Sequence, residues 1–229
     1  MKTVIITGAN GNMGMAVTKS LLSKGYRIIV TVASATDKKD FDSLNGLDIQ
    51  VVNLMEEEAA ASFVRECIAR YGAIDAALLL VGGFTAGKIR DTSAADLHKQ
   101  FSLNFETAYF MARPLFQHMM DKNRGRLVFI GARPALNPAQ GHALLAYSLS
   151  KSLLFKLAEF LNEEASGKNV AVAVVVPSTL DTPLNRKSMP DVDPVDWVKP
   201  EQVADVMEFL ISDKGETLRE PVVKVYNNV

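Results

Sequence analysis

The stretch VIITGANGNMG, residues 4–14, joins a short apolar run directly to three glycines, Gly8, Gly11 and Gly14. A run of Val and Ile is typical of a buried strand, and glycine lets the backbone turn tightly and approach a ligand closely. A helical pattern follows, so its free N–H groups and positive dipole end would face the turn. The alternative is a plain turn, but strand, glycine turn and helix together predict a pyrophosphate-binding site for a dinucleotide.

Outward from this turn, short apolar runs alternate with helical patterns. The runs lack period-two alternation, which is typical of parallel strands that are buried on both faces. They are Thr3–Thr7, Arg27–Val32, Ile49–Asn53, Ile74–Val81, Arg126–Ile130, Val170–Val176 and Val222–Tyr226. The helical patterns lie near residues 13–24, 57–71, 93–121, 143–166 and 201–212, and residues 37–46 fit either a short helix or a loop.

This alternation predicts an α/β fold in a single domain over residues 1–229. We expect a doubly wound, Rossmann-type parallel sheet of about seven strands with helices on both faces. Five of the nine prolines lie between residues 177 and 200, in the longest region without helix or strand periodicity. Long loops in compact domains are usually functional or disordered.

The composition excludes several classes of protein. Hydrophobic residues make up 48% and charged residues 22% of the chain, and the net charge is −1, so neither nucleic acid nor an anionic membrane surface is an expected partner. No apolar stretch approaches the roughly 20 residues of a transmembrane helix. The single cysteine and the three histidines show no metal-ligand spacing, so no metal is expected. We expect a soluble, cytoplasmic protein.

Two helical segments, around residues 101–121 and 143–165, carry apolar side chains on more sides than one contact with a sheet requires. A helix that is hydrophobic nearly all round is buried on all sides. We expect these helices to form the interface of a homodimer or homotetramer; the alternative is a thicker core within one chain.

Tyr147 and Lys151, in the stretch AYSLSKSLL, are four residues apart and would share one face of a helix. A tyrosine with a pKa near 10 is a poor acid–base group at neutral pH. A nearby ammonium favours the phenolate and lowers that pKa, which suits proton transfer. The sequence therefore predicts an acid–base pair, in which the lysine can also bind a cofactor ribose.

The cofactor preference is read at the end of the second strand, where an acidic residue would bind a ribose 2′-hydroxyl. Val32, Ala33 and Ser34 occupy this place, and Lys38 and Lys39 follow shortly after. This pattern favours NADP(H) over NAD(H); the alternative is that both lysines are simply solvated.

Together these motifs resemble the short-chain dehydrogenase/reductase family over essentially the whole chain. The resemblance is carried by the glycine turn, LLVGG at 79–83, Asn104, the Tyr147/Lys151 pair and PSTLDT at 177–182. It implies that Tyr147 and Lys151 are catalytic and that Asn104 holds a water behind the lysine. The implied cofactor contacts are Gly8, Asn10, Gly11, Asn12, Met13, Gly14, Asn53, Leu54, Val81, Gly82, Gly83, Lys151, Pro177, Thr179, Leu180 and Thr182.

One departure from the family pattern bears on the substrate. Most members place a substrate-binding serine about 13 residues before the tyrosine. Aligned by the end of the strand, Ala132 takes that place, and by counting back it is Pro134. Neither has a hydroxyl, so the sequence argues against an ordinary ketone reductase.

A narrower resemblance is to dihydropteridine reductases, which also lack that serine. TLDTPLNRKSMP, residues 179–190, is similar to their loop after strand six almost residue for residue. The resemblance implies NAD(P)H-dependent reduction of a quinonoid dihydropterin-like acceptor, with Tyr147 as the proton donor and a substrate lid over residues 183–200. Candidate substrate contacts are Phe84, Ala132, Arg133 and Arg186.

Two alternatives remain open at this stage. The chain could reduce another carbonyl or quinone-like substrate. It could also be a non-catalytic regulatory protein that holds NADP, although such a protein has less need of the Tyr147 proton donor. For the candidate contacts, Phe84 could be ordinary core, and Arg133 and Arg186 could be structural or solvated.

Overall fold

The structure, a computed structural model, describes residues 1–228. Its centre is one parallel sheet in the order β3-β2-β1-β4-β5-β6-β7. The strands are β1 (Thr3–Thr7), β2 (Arg27–Val32), β3 (Leu47–Val51), β4 (Ala76–Leu79), β5 (Arg124–Ile130), β6 (Asn169–Pro177) and β7 (Val222–Val225). All neighbouring strands pair in parallel. The predicted seven-stranded, doubly wound α/β fold is therefore confirmed.

Residues 1–228 form eight α-helices, five of which pack against the sheet. They are α1 (Asn12–Ser23), α2 (Glu57–Tyr71), α3 (Ala94–Phe101), α4 (Thr107–Lys122), α5 (Pro138–Gly141), α6 (Leu145–Glu164), α7 (Pro183–Ser188) and α8 (Pro200–Ile211). One face of the sheet packs against α1 and α8, through residues such as Val17 and Met207. The other packs against α2, α4 and α6, through residues such as Phe63, Met111 and Phe155. Among residues 1–228, no helix is both long and apolar enough to cross a membrane.

The sheet topology fixes where a ligand can bind. From β1 the chain first adds strands on one side, and from β4 it adds them on the other. Loops that leave the carboxyl ends of β1 and β4 therefore diverge and open a crevice at this edge, which is the usual ligand site of such folds.

Several element boundaries differ from the sequence-based expectation. Strand β3 is Leu47–Val51 rather than Ile49–Asn53, because Leu47 already pairs with Ile28 and the Asn53 side chain accepts the N–H of Met55 at 3.2 Å in a turn. A 3₁₀ helix, Ala35–Phe41, overlaps the first half of the segment 37–46.

The helix that was expected over 93–121 is interrupted by a π-helical turn, Ser102–Glu106, between α3 and α4. The predicted lid, residues 183–200, is not irregular throughout, because it contains α7 and a 3₁₀ turn at Pro194–Asp196. Helix α7 begins where the Thr182 side chain accepts the N–H of Asn185 at 3.2 Å.

Candidate active site

The glycine turn has the geometry that a pyrophosphate cradle requires. Gly8 adopts a positive φ of 63°, and a Cβ on Gly14 would lie 2.2 Å from the Gly8 carbonyl oxygen. Helix α1 begins immediately afterwards, and its N-cap, Gly11, supplies no side-chain cap. The first N–H groups of α1 are therefore free to bind an anion.

Behind this turn, Lys151 is buried in the crevice. Its side chain reaches from α6 to the end of β5, where Nζ donates to the Ile130 carbonyl oxygen at 2.9 Å. Among the described residues, Nζ makes no other hydrogen bond. Because an ammonium has three N–H donors, two of them can still bind cofactor hydroxyls. The free N–H groups at the start of α1 and the unused donors of Lys151 together fit a nicotinamide dinucleotide.

Tyr147 lies one helical turn before Lys151 on α6 and is half-buried. Its ring meets the ring of Phe84 edge-on, with centroids 5.4 Å apart and planes at 71°. Phe84 is 64% exposed, which excludes the core interpretation and places it at the mouth of the site.

The two pKa values differ from the sequence-based expectation. Burial raises the pKa of Tyr147 to about 12 and lowers the pKa of Lys151 to about 8. Removal from water disfavours the charged form of each group, the phenolate of one and the ammonium of the other. The expected lowering of the tyrosine pKa by the lysine is therefore not what this structure shows, and Tyr147 is a neutral phenol with a proton to give.

Asn104 is fully buried in the π-helical turn and joins three elements. Its Oδ1 accepts the N–H of Gly83 at 2.9 Å, and its Nδ2 donates to the Gly83 carbonyl oxygen and to Ser150 Oγ, both at 3.1 Å. Ser150 in turn donates to the Tyr147 carbonyl oxygen at 2.8 Å. The side chain thus fixes the loop after β4 against the helix that carries Tyr147.

Gln100 extends the same buried network. It accepts from Asn104 Nδ2 at 3.0 Å and donates to Thr85 Oγ1 at 3.0 Å. Gln100, Thr85 and Ser150 were missed in the sequence. Two of them carried a signal, since Gln100 lies four residues before Asn104 on the same helical face, and Ser150 lies within the AYSLSK stretch.

The loop after β4 is also held by its backbone. Gly87 N–H donates to the Ala143 carbonyl oxygen and Leu145 N–H donates to the Gly87 carbonyl oxygen, both at 2.9 Å. A Cβ on Gly82 would lie 2.8 Å from Asn104 Oδ1 and 2.9 Å from Lys151 Nζ. Gly82 thus allows the backbone to pass directly over the polar groups of the site.

At the end of β5 the structure places Ala132, buried and with only a methyl group, directly after Gly131. Gly131 N–H donates to the Val175 carbonyl oxygen at 2.8 Å, which continues the pairing of β5 with β6. The alignment by strand end is therefore the one that the structure supports, and Pro134 lies inside the following 3₁₀ turn.

The remaining candidate residues divide into two groups. The structure brings Asn10, Asn53, Leu54, Val81, Thr179, Leu180 and Thr182 to loops at the carboxyl edge of the sheet, and Pro177 to the last position of β6 at the same edge. Arg186, by contrast, is not a free cation, because it forms a bidentate pair with Asp181 at 2.5 and 2.9 Å. This pairing differs from the expected substrate clamp.

The segment after β2 carries charges of both signs. Among the described residues neither Lys38 nor Lys39 forms a salt bridge, and both are exposed. The carboxylate of Asp37 accepts the N–H of Ser34 at 3.0 Å, and that of Asp40 accepts from Asn10 Nδ2 at 3.3 Å.

The comparisons with known proteins agree with this geometry. The family model described as short chain dehydrogenase matches residues 2–193. The chain therefore belongs to the short chain dehydrogenase family of oxidoreductases.

The individual relatives share only about a quarter of their residues with this chain. An acetoacetyl-CoA reductase of Acinetobacter sp. is 26% identical over 93% of this chain and 92% of its own length. The 3-oxoacyl-(acyl-carrier-protein) reductase FabG of Thermotoga maritima is 25% identical over 98% of this chain and 96% of its own length. Among solved structures, ElxO with NADP bound has a TM-score of 0.91 at 18% identity, covering 98% of this chain and 96% of its own, which shows a shared fold.

Proposed function

We propose that this protein is an NADPH-dependent reductase whose acceptor is a quinonoid dihydropterin. The observation that carries the proposal is the combination of a protonated Tyr147 with a methyl group at Ala132, where a second oxygen donor would stand. An imine-like acceptor needs one proton donor at its reacting atom, whereas a ketone gains from two. The resemblance of residues 179–190 to the dihydropteridine reductase loop supports the same acceptor.

A nicotinamide held at the glycine turn and by Lys151 would supply the hydride for this reduction. The Tyr147 hydroxyl donates the proton that completes the reduction. Lys151 holds the cofactor ribose and stabilises the phenolate that remains after proton transfer. Asn104 keeps the Gly82–Gly83 backbone and helix α6 in a fixed relation. The lid over residues 183–200 excludes water.

The preference for NADPH rests on Lys38 and Lys39, which are exposed and free of salt bridges among the described residues. The carboxylates of Asp37 and Asp40 are already engaged by Ser34 and Asn10. A 2′-phosphate would therefore meet two available ammonium groups.

The test combines cofactor titration with an acceptor assay. We expect NADPH to bind at least about tenfold more tightly than NADH, and quinonoid dihydropterin to be reduced. Tyr147→Phe should lower kcat by about 10²-fold or more, because general acid catalysis contributes on this scale. Tight cofactor binding without pterin turnover would reject the acceptor, and an unchanged kcat in Tyr147→Phe would reject the mechanism.

A second candidate is reduction of a 3-oxoacyl thioester. It is favoured by the similarity to an acetoacetyl-CoA reductase along 93% of the chain, and it is opposed by the methyl group of Ala132. Acetoacetyl-CoA in the same assay separates the two acceptors, since the proposed function requires the larger kcat/KM for the pterin.

A further inference from the structure

Arg133 follows Ala132 at the end of β5 and has an unusual environment. Its guanidinium lies over the ring of Tyr226, 5.1 Å from the centroid. The other arginines each donate to an oxygen or form an ion pair; they are Arg27, Arg65, Arg70, Arg90, Arg113, Arg124, Arg126, Arg186 and Arg219. Within residues 1–228, Arg133 is the arginine whose guanidinium does neither.

The position of Arg133 directs its side chain along the carboxyl edge of the sheet toward β7. The sheet order is β5-β6-β7, so a side chain that starts after β5 and reaches Tyr226, after β7, crosses the end of β6. Ser178 lies at that end, where its N–H donates to the Val225 carbonyl oxygen at 2.9 Å. Arg133, Ser178 and Tyr226 thus form a row across three strand ends, which we name the strand-end row.

The strand-end row lies on the same side of the sheet as Tyr147. Val174 and Val176 face the cluster that packs against α6, and alternation along the strand places Ser178 on that side. Tyr226 packs against the same cluster. Tyr147 and Lys151 project from α6, so the row and the proton donor share one edge of the sheet and one of its faces.

Two groups in this row lack polar partners among residues 1–228. The Ser178 hydroxyl is buried without a hydrogen bond, and the half-buried Arg133 guanidinium offers all its donors. A buried polar group without a partner costs stability in the free protein. An aromatic ring beneath a guanidinium holds its plane and leaves the N–H groups at its rim available. Both features suit a ligand that brings an oxygen atom.

We propose that Arg133 binds a carbonyl oxygen of the acceptor that is not attached to the reacting atom. This inference rests on the proposed reductase function, but it holds for either acceptor considered above. A dihydropterin carries a ring carbonyl, and acetoacetyl-CoA carries a thioester carbonyl beside the ketone that is reduced. Arg133 is then a specificity-determining contact with a second oxygen of the acceptor.

The test compares Arg133→Met and Arg133→Lys with the wild type, using whichever of the two acceptors the wild type reduces. We expect Arg133→Met to raise KM about tenfold or more with a nearly unchanged kcat, because the lost contact is equal in the ground and transition states. Arg133→Lys keeps the charge and should recover part of the affinity. The Kd of NADPH, measured without acceptor, should not change.

Arg27→Met is the matched control. The Arg27 guanidinium also lies over a tyrosine ring, that of Tyr71 at 5.3 Å, but it starts from the amino end of β2. This variant removes a similar cation–π contact and should leave KM unchanged.

The outcomes separate this inference from the proposed function. Absence of pterin turnover in the wild type rejects the proposed acceptor. The KM of Arg133→Met relative to the wild type can then still be measured with acetoacetyl-CoA. An unchanged KM in Arg133→Met, an equal rise in Arg27→Met, or a change confined to the Kd of NADPH overturns the role of Arg133. Turnover of neither acceptor overturns both proposals.

Discussion

Burial controls the protonation of the two residues on which the chemistry depends. It keeps Tyr147 neutral, with a pKa raised to about 12, and it lowers the pKa of Lys151 to about 8. A proton donor must be protonated before the reaction, so the raised tyrosine pKa suits reduction. The lysine, however, loses its charge within a pH range that is easily reached in an assay.

The first prediction concerns the pH dependence of cofactor binding. Because the Lys151 pKa is lowered to about 8, its charged form prevails below that pH and is lost above it. We expect the Kd of NADPH to be constant near pH 7 and to rise as the pH passes about 8. Fluorescence titration at several pH values measures it. In Lys151→Met the Kd should be higher throughout and show no such inflection; the same inflection in both proteins would contradict the assignment.

At the scale of elements, the π-helical turn between α3 and α4 connects the parts of the candidate site. It places Asn104 where one side chain bonds the loop after β4 and Ser150 of α6. π-helical turns interrupt an α-helix locally and are frequent at functional sites. Here the turn connects the Gly82–Gly83 backbone with the helix of the proton donor.

The second prediction tests whether Asn104 positions the site or only stabilises the fold. Asn104→Ala leaves the Gly83 N–H without its partner and should lower the free energy of unfolding by about 2–3 kcal/mol, together with a clear loss of kcat. Asn162 is the matched control, because its side chain bonds both the N–H and the carbonyl oxygen of Val172 at 2.8 and 2.7 Å, away from the site. Asn162→Ala should lower the free energy of unfolding by a similar amount but keep kcat. An equal loss of kcat in both variants would refute the positioning role of Asn104. Chemical denaturation and steady-state kinetics supply both quantities.

Local spacing made some of these elements predictable and tertiary packing hid others. The spacing of Tyr147 and Lys151 places both on one helical face in any α-helix, so their proximity was readable. Their pKa values depend on the layers that cover them, and no local pattern encodes that burial. The bond from Arg186 to Asp181 depends on the turn that begins at Thr182. The π-helical turn at Asn104 has no residue pattern that distinguishes it from an ordinary α-helix.

At the scale of the whole molecule, the segment from the end of α3 to the start of α4 and helix α6 carry exposed aromatic side chains. Phe101, Phe105 and Tyr109 form a continuous row, with ring centroids 5.2 and 6.0 Å apart. Phe160 of α6 is 66% exposed. Contiguous apolar surface of this kind marks protein–protein interfaces, and the homodimer or homotetramer expected from the sequence stays a prediction.

The third prediction tests this assembly. Light scattering after size exclusion should give two or four times the chain mass of 25.0 kDa. Phe160→Glu should reduce that mass, because a carboxylate would have to be buried in the interface. Val51→Glu places the same charge on another exposed apolar position, on the edge strand β3, and should not. A wild-type monomer would contradict the expected interface.

The segment from Thr182 to Trp197, which contains α7, has its two ends held together by backbone hydrogen bonds. Asp181 N–H donates to the Val198 carbonyl oxygen, and Val198 N–H donates to the Thr179 carbonyl oxygen, both at 2.8 Å. A segment with fixed, adjacent ends can be exchanged between proteins without disturbing the strand before it or the helix after it. Under the proposed function, acceptor choice can therefore change without a change in the cofactor contacts, which end at Thr182. A chimera that carries residues 183–197 in a related reductase tests this separation.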